Sequence, residues 1–422
     1  MNLVYDFHVG NGDNGNVYAI TNNRDTNRSQ TFTYDALNRL ISAQNAGTDC
    51  SQKLPDGHTE YWGNSYVYDP WGNLNQKVVT KCTAENMSVA VNASNQLQGY
   101  SYDAAGNMIV DNSGTSYVYD AENRIRSTSG FSYVYDADDN RVLKTNGNTT
   151  PATGTLYWYM SPGIVAESDL SGNLQSEYVF FDGERIARKD FPGNAVSYYF
   201  SDHLKTASVI TDAVGTTKSE SDNYPWGGEL QFLNGDSNHY KFTGKERDAE
   251  TGLDYFGARH YSNGLGRWIT PDWAAKATAV PYADFADPQS LNLYTFVRNI
   301  PTTKYDADGH EVYGQVDVDL NRAANALAQA FHATVSFLTT APPPHMPTAG
   351  GPLIFVPCTC SLPERTNNKN EESKNSNNSK SENAAGEQGG VRTVEQHRTR
   401  CGAMRTEKQF QIQKLRAQPT HS

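Results

Sequence analysis

The chain has 422 residues with 35 basic and 47 acidic side chains, a formal net charge of −12. An acidic balance of that size argues against wholesale nucleic-acid binding, and 25 tyrosines with few charged runs argue against disorder over most of the length. Abundant Tyr, Thr, Val, Gly and Asn favour strands and tight turns over helices, so the composition points to an all-β fold.

The first residues, MNLVYDFHVGNGDNG, carry neither a basic start nor an apolar run and are not a signal peptide. Val4-Tyr5-Asp6 already belongs to the repeat described next. The expectation is therefore a C-terminal piece of a longer protein, or a gene whose start was assigned late. Cys50, Cys82, Cys358, Cys360 and Cys401 are odd in number with no repeated spacing, so no disulfide framework is expected. Cys358-Thr359-Cys360 lacks a second pair and is not read as a metal site.

Residues 1–195 carry an internal repeat. Tyr-Asp pairs stand at Tyr34-Asp35, Tyr68-Asp69, Tyr102-Asp103, Tyr119-Asp120 and Tyr135-Asp136, at intervals of 34, 34, 17 and 16 residues. Each opens a similar phrase: YDALNRL, YDPWGNL, YDAAGNM, YDAENRI, YDADDNRV. The Tyr closes one strand, Asp and Asn cap a turn through short side-chain hydrogen bonds, and the aliphatic residue starts the return strand. Such a unit is too short to bury a core alone, but stacked copies can. Calcium loops need several oxygens in one loop, and here there is typically one Asp per turn, so the pairs read as structural.

Residues 155–195 continue as strands around a Ser171-Gly172-Asn173 turn and a Phe181-Asp182-Gly183 turn. Residues 196–310 then form a distinct core. It opens on an aromatic strand ending in Asp202-His203-Leu204, followed by Tyr224-Pro225-Trp226-Gly227. Neighbours on a strand point to opposite faces, so Asp202 and His203 read as a turn cap and a packed imidazole rather than as one site. Residues 240–244 alternate like a half-buried strand. Residues 245–252 read as a polar turn and residues 253–261 as the return strand of a hairpin, with Leu253, Tyr255, Arg259 and Tyr261 on one face. Arg267-Trp268-Ile269-Thr270-Pro271-Asp272, Leu291-Asn292-Leu293-Tyr294 and Tyr305-Asp306-Ala307-Asp308-Gly309-His310 complete the core.

Residues 311–356 change character. The Ala-rich stretch 319–341 predicts a short helix with Asp319 at its start and Pro342-Pro343-Pro344 after its end. Asn325, Gln329 and His332 argue against a membrane span, and 351–357 reads as a short apolar strand. Residues 357–390 are a low-complexity linker, expected to be disordered. Residues 391–422 form a basic tail with seven Lys or Arg against two acids, a composition that can contact nucleic acid or an acidic partner.

The YD phrases and the core motifs resemble the Rhs (rearrangement hotspot) or YD-repeat family, related to the C components of tripartite toxin complexes and more remotely to the teneurins. The resemblance covers residues 1–310. It implies a sheet of YD hairpins that curves or spirals into a shell, a core segment that plugs one end, and a variable C-terminal toxin held inside. Residues 1–310 are short for a full cocoon, so an open, curved sheet is expected here.

In the family, an Asp after Arg-x-x-Ser/Thr-Pro and an Asp in a later Asp-Pro-x-Gly-Leu motif act as an aspartic pair that frees the toxin. Carried over, these are Asp272, with Arg267 upstream, and Asp306, and the cut follows His310 at the family's Leu position. Two carboxylates held close share a proton, so one acts as base toward water and the other as acid. This sequence departs from the pattern: Trp273 follows Asp272 where the family has Pro, and 306–310 lacks both Pro and Leu. A self-cutting core and a passive plug, with both aspartates as turn caps, remain two readings.

The function expected is the shell and core of a secreted or cell-surface polymorphic toxin used in interbacterial or host competition. The resemblance implies an encapsulated C-terminal segment as partner, with an immunity protein and a secretion apparatus, and no nucleic acid for the shell. The alternative is a module presenting Tyr-rich strands to carbohydrate, which requires exposed tyrosines. No cofactor or metal is implied, because no phosphate loop, HExxH or paired CxxC occurs.

Overall fold

The computed structural model describes residues 2–313 apart from 9–13, 161–162, 274–279, 282 and 311. The predicted helix at 319–341, the strand at 351–357, the linker and the basic tail lie outside the described residues.

The fold is all-β and strictly sequential. A seven-stranded antiparallel meander runs from Leu3–Asp6 to Met87–Ser88. A two-stranded link, Ser101–Tyr102 with Met108–Val110, leads to a twelve-stranded meander from Tyr117–Tyr119 to Glu229–Asn234. That sheet runs through residue 195 without interruption, since Glu184–Asp190 pairs with Ala195–Ser201. The strands Leu3–Asp6 and Glu229–Asn234 do not pair with each other, so the sheets stay open, as expected. Side chains reach from one sheet to the other: Arg28 binds Asp222 through two nitrogens (2.9 and 2.7 Å) and Glu220 (2.6 Å), and lies over the Phe232 ring.

The YD phrase builds each turn by local hydrogen bonding. Asp120 Oδ1 accepts from the N–H groups of Glu122 and Arg124, and Asp120 Oδ2 from Arg124 Nε. Asp35, Asp69, Asp103 and Asp136 repeat the same offsets. Three residues after each Asp the backbone has positive φ, and the residues there are Asn38, Gly72, Gly106, Asn123 and Asp139, types that tolerate it. The Tyr then joins one repeat to the one before: Tyr68 Oη donates to Leu40 O, Tyr119 Oη to Met108 O and Tyr135 Oη to Ile125 O. Each accepting carbonyl belongs to the aliphatic residue closing the previous phrase. A register shift sits beside the Tyr in these hairpins, between Thr33 and Tyr34, Val67 and Tyr68, Val118 and Tyr119, and Val134 and Tyr135. Bulges increase local twist, so a bulge recurring at one edge curls the meander.

One expectation is corrected here. Cys50 and Cys82 form a disulfide with Cα atoms 5.1 Å apart and 32 residues between them in sequence. Cys82 pairs across the sheet with Trp62, which brings it beside the loop that carries Cys50. The contact comes from sheet register, so no sequence spacing announced it.

The core segment packs against both sheets. Phe242, Phe256, Tyr261, Trp268 and Phe296 join Trp62, Tyr66 and Leu74 of the first sheet in one apolar cluster. Leu253 and Ile269 join Met108, Ile125 and Tyr133 in another. Burial on both sides changes the local structure from the expected strand at 240–244. Only Tyr240 bridges, to Glu246, while Phe242–Gly244 is a tight 3-10 turn whose Thr243 N–H donates to Thr206 Oγ1. The single strand expected over 253–261 is instead broken by a turn: Asp254–Tyr255 pairs with Glu246–Arg247 on one side and with His260–Ser262 on the other. Both faces of this stretch are buried, polar residues included.

Asp202 and His203 occupy the places expected of a cap and a packed ring. Asp202 Oδ1 accepts from the N–H groups of Leu204 and Thr206, while His203 Nε2 is 2.8 Å from Thr302 O and its ring meets Tyr5.

Candidate functional site

The core ends in a tight hairpin in which Tyr305–Asp306 pairs with Val312–Tyr313. The tip is shaped by Asp306, whose Oδ1 accepts from Asp308 N (3.1 Å) and Gly309 N (2.6 Å). Gly309 takes φ +92°, and a Cβ there would lie 3.0 Å from Arg259 N and 3.3 Å from Ala258 N. Ala258 N donates in turn to Asp308 O (2.9 Å), so the tip is pressed against the turn that carries Arg259.

Arg259 is the hub. Its Nη2 is 2.9 Å from Asp272 Oδ2 and 3.8 Å from Asp306 Oδ2. Its Nε donates to Gly309 O and its Nη1 to Leu293 O, and its guanidinium lies 4.1 Å above the Trp268 ring. Asp272 is fixed by its own N–H, which donates to Leu293 O (3.0 Å). Asp272 Oδ1 is 2.9 Å from His310 Nδ1, and the His310 ring packs edge-on against Trp273. Asp272, Asp306 and His310 thus converge, although they are distant in sequence. Arg267 is elsewhere: it donates to Asn95 O and lies over the Tyr294 ring. Arg259, read from the sequence as one position on a hairpin face, is the cation that touches both aspartates.

Burial pushes the Asp306 carboxyl up to about 6, against the opposing pull of Arg259 and the Gly309 N–H. A carboxylic acid that keeps its proton near pH 6 can donate it, which is the acid half of an aspartic pair. Beside the hairpin tip lies a cavity of about 830 Å³, lined by Arg185, Lys205, Lys245, Tyr305, Asp306 and Asp308 among others.

A second charged centre had no sequence signal. Arg141, with 0% of its surface exposed, binds Asp248 through Nη1 (2.8 Å) and Nη2 (3.0 Å) and Glu246 through Nη2 (2.8 Å). Lys144 reaches Asp248 (2.8 Å) and Glu250 (2.9 Å). Burial opposes the charge on Asp248, but Arg141, His260 and Lys144 together hold its carboxyl well below the usual range. This cluster locks the core segment to the twelve-stranded sheet. Among the described residues no group of His, Cys, Asp and Glu is arranged to hold a metal ion.

The YD tyrosines do not form an open sugar platform. Tyr34, Tyr68, Tyr102, Tyr119 and Tyr135 are half-buried, and every one of their hydroxyls is bonded within the repeat array or to the core. The carbohydrate reading loses the exposed rings on which it depended.

This architecture, sequential YD hairpins wrapped against an aromatic core segment, defines a YD-repeat β-shell. No family model matches the chain. It is 28% identical over 286 residues to the tRNA3(Ser)-specific nuclease WapA of Bacillus spizizenii, covering 62% of this chain and 12% of that protein. It is 25% identical over 365 residues to the toxin subunit YenC1 of Yersinia entomophaga, covering 70% of this chain and 36% of that protein. Among solved structures, TcdB2–TccC3 without its hypervariable C-terminal region superposes with a TM-score of 0.57 at 25% identity, over 73% of this chain and 17% of that one. The chain's homologues are toxin-complex subunits and WapA nucleases, proteins of the Rhs or YD-repeat family, and its structural neighbours are the TcdB2–TccC3 shell. The chain spans well under half the length of each of these relatives, and what it shares with them is the shell and its core.

Proposed function

We propose that this chain supplies the end of the shell of a secreted polymorphic toxin, and that its core cuts the chain beside His310 to free a C-terminal cargo. The observation that carries the proposal is the convergence of Asp272 and Asp306 on Arg259 at the tip of the hairpin that leads out of the core. In this reading Asp306 is the acid, protonated up to about pH 6. Asp272, oriented by Arg259 and His310, takes a proton from the attacking water. Arg259 keeps the two carboxylates from separating and is a positioning residue unless it also touches the bond that breaks.

The cargo is the segment that follows the core. Held against the shell, it would not act on its producer until delivered. The same logic calls for a secretion apparatus and for an immunity protein in the producing cell. Kinship with toxin subunits supports a secreted setting, and the Cys50–Cys82 disulfide fits an oxidising compartment.

Encapsulation is tested on the full-length protein after cutting. The fragment that follows the core is expected to co-elute with the shell on size exclusion, to resist trypsin, and to separate only in denaturant. Free elution and rapid digestion of that fragment under native conditions would contradict the cargo reading.

A further inference from the structure

We infer that the bond poised for cleavage is Gly309–His310, one residue earlier than the position after His310. This rests on the self-cutting reading above and sharpens it, because the family pattern places the break after the residue that stands here as His310.

The geometry around that peptide is specific on both sides of the bond. On the acyl side, Gly309 O accepts from Arg259 Nε, so the cation that orients Asp272 also polarises this carbonyl. Gly309 N donates to Asp306 Oδ1 (2.6 Å), which holds the acid against the same residue. On the amine side, His310 N donates to Asp308 Oδ1 (2.9 Å) and the His310 ring is held on Asp272 Oδ1 (2.9 Å). Three carboxylates and one guanidinium therefore grip the two residues that flank a single bond. Hydrogen-bond donation to a carbonyl oxygen stabilises the negative charge that develops there when water adds. A glycine on the acyl side leaves the carbonyl carbon open. Its φ of +92° and the 3.0 Å approach to Arg259 N mean that a side chain here would strain the backbone that presents the carbonyl.

The step balances without any co-reactant besides water. Water oxygen adds to the Gly309 carbonyl carbon as Asp272 takes one water proton, and Arg259 Nε bears the developing oxyanion. The C–N bond to His310 then breaks as the proton on Asp306 passes to His310 N. The products are a chain ending in the Gly309 carboxylate and a chain beginning with the His310 amine. Asp272 later returns its proton to Asp306.

The test is Edman sequencing of the C-terminal fragment from the full-length protein, with intact masses of both pieces. A fragment that begins His310-Glu311-Val312, and an N-terminal piece ending at Gly309, are expected. A fragment that begins at Glu311 overturns the assignment and leaves the self-cutting reading standing. A single uncut chain overturns both. The variant Gly309→Ala guards against a cut made by a contaminating protease: its Cβ displaces the carbonyl from Arg259, so the rate is expected to fall at least 100-fold. Gly264→Ala, where a Cβ meets nothing within 4 Å, is expected to cut at the parent rate. Cutting of Gly309→Ala at the parent rate would overturn the assignment.

Discussion

Arg141→Met tests whether the core segment is held to the shell by charge. Methionine keeps much of the arginine's length and removes the guanidinium. The lost contacts are two hydrogen bonds to Asp248, one ion pair to Glu246, and stacking 4.3 Å above the Tyr255 ring. Glu246, Asp248 and Glu250, all at most 6% exposed, are left with Lys144 as the cation on them from the twelve-stranded sheet. Removing one partner of a buried ion pair costs about 3–5 kcal/mol, because the other charge stays buried. That is a large part of the roughly 5–15 kcal/mol that stabilises a domain. The cost has a pH signature. Without Arg141 the Asp248 carboxyl rises, so the variant relieves its burial by taking up a proton at low pH. The loss is therefore larger at pH 8 than at pH 5. Urea unfolding of the full chain, followed by tryptophan fluorescence, reads this directly, since Trp62, Trp226 and Trp268 are buried in the core. The double variant Arg141→Met with Asp248→Asn is expected to recover part of the loss. A loss under about 1 kcal/mol in Arg141→Met, equal at both pH values, would refute the reasoning.

Three further outcomes follow from the same geometry. Tyr135→Phe removes the hydroxyl on Ile125 O, and Asp120→Ala removes the acceptor for two backbone N–H groups and for Arg124. The first is expected to cost about 1 kcal/mol and the second about 2 kcal/mol by urea melts, and tolerance of both would argue against the repeat-to-repeat ladder. Reducing the Cys50–Cys82 bridge, which closes a 32-residue separation, is expected to lower stability by about 3–4 kcal/mol on chain-entropy grounds. An unchanged Tm in reductant would show that the loop is held without it.

The third outcome concerns pH. Burial raises the Asp306 carboxyl from 3.8 to about 6, so the folded state binds more protons than the unfolded state between those values. Stability therefore falls on the order of 2–3 kcal/mol as pH rises from about 4 to about 6, then levels. Asp254, also pushed up to about 6 by burial, contributes a similar slope. Asp306→Asn should roughly halve the combined slope. The cutting rate should fall as pH rises through about 6, as the acid proton is lost; a rate that climbs from pH 5 to pH 8 would exclude Asp306 as the acid.

The repeat was legible in the sequence because its chemistry is local. An Asp that caps N–H groups two and four residues on, with Gly or Asn at the third, appears as a phrase wherever it recurs. The tyrosine ladder ties these phrases together: the hydroxyls of Tyr68, Tyr119 and Tyr135 each reach the closing carbonyl of the phrase before. Asp272, Asp306 and His310 were named through family resemblance, and folding brings them together around Arg259. Arg259 itself carried no signal, because its role depends on a hairpin tip 50 residues away in sequence. The Arg141–Asp248 pair spans 107 residues and the disulfide depends on sheet register. Neither leaves a spacing that a single chain reveals. Residues 240–244 misled because alternation marks a strand only when one side faces water, and here both sides are covered.

The central claim is that the core carries a working aspartic pair. Its most direct test is the intact mass of freshly purified full-length protein beside Asp272→Asn and Asp306→Asn. The account predicts two fragments divided beside His310 for the parent, and one chain at full mass for each variant. One uncut chain in all three proteins would contradict it and leave Asp272 and Asp306 as caps in a passive plug.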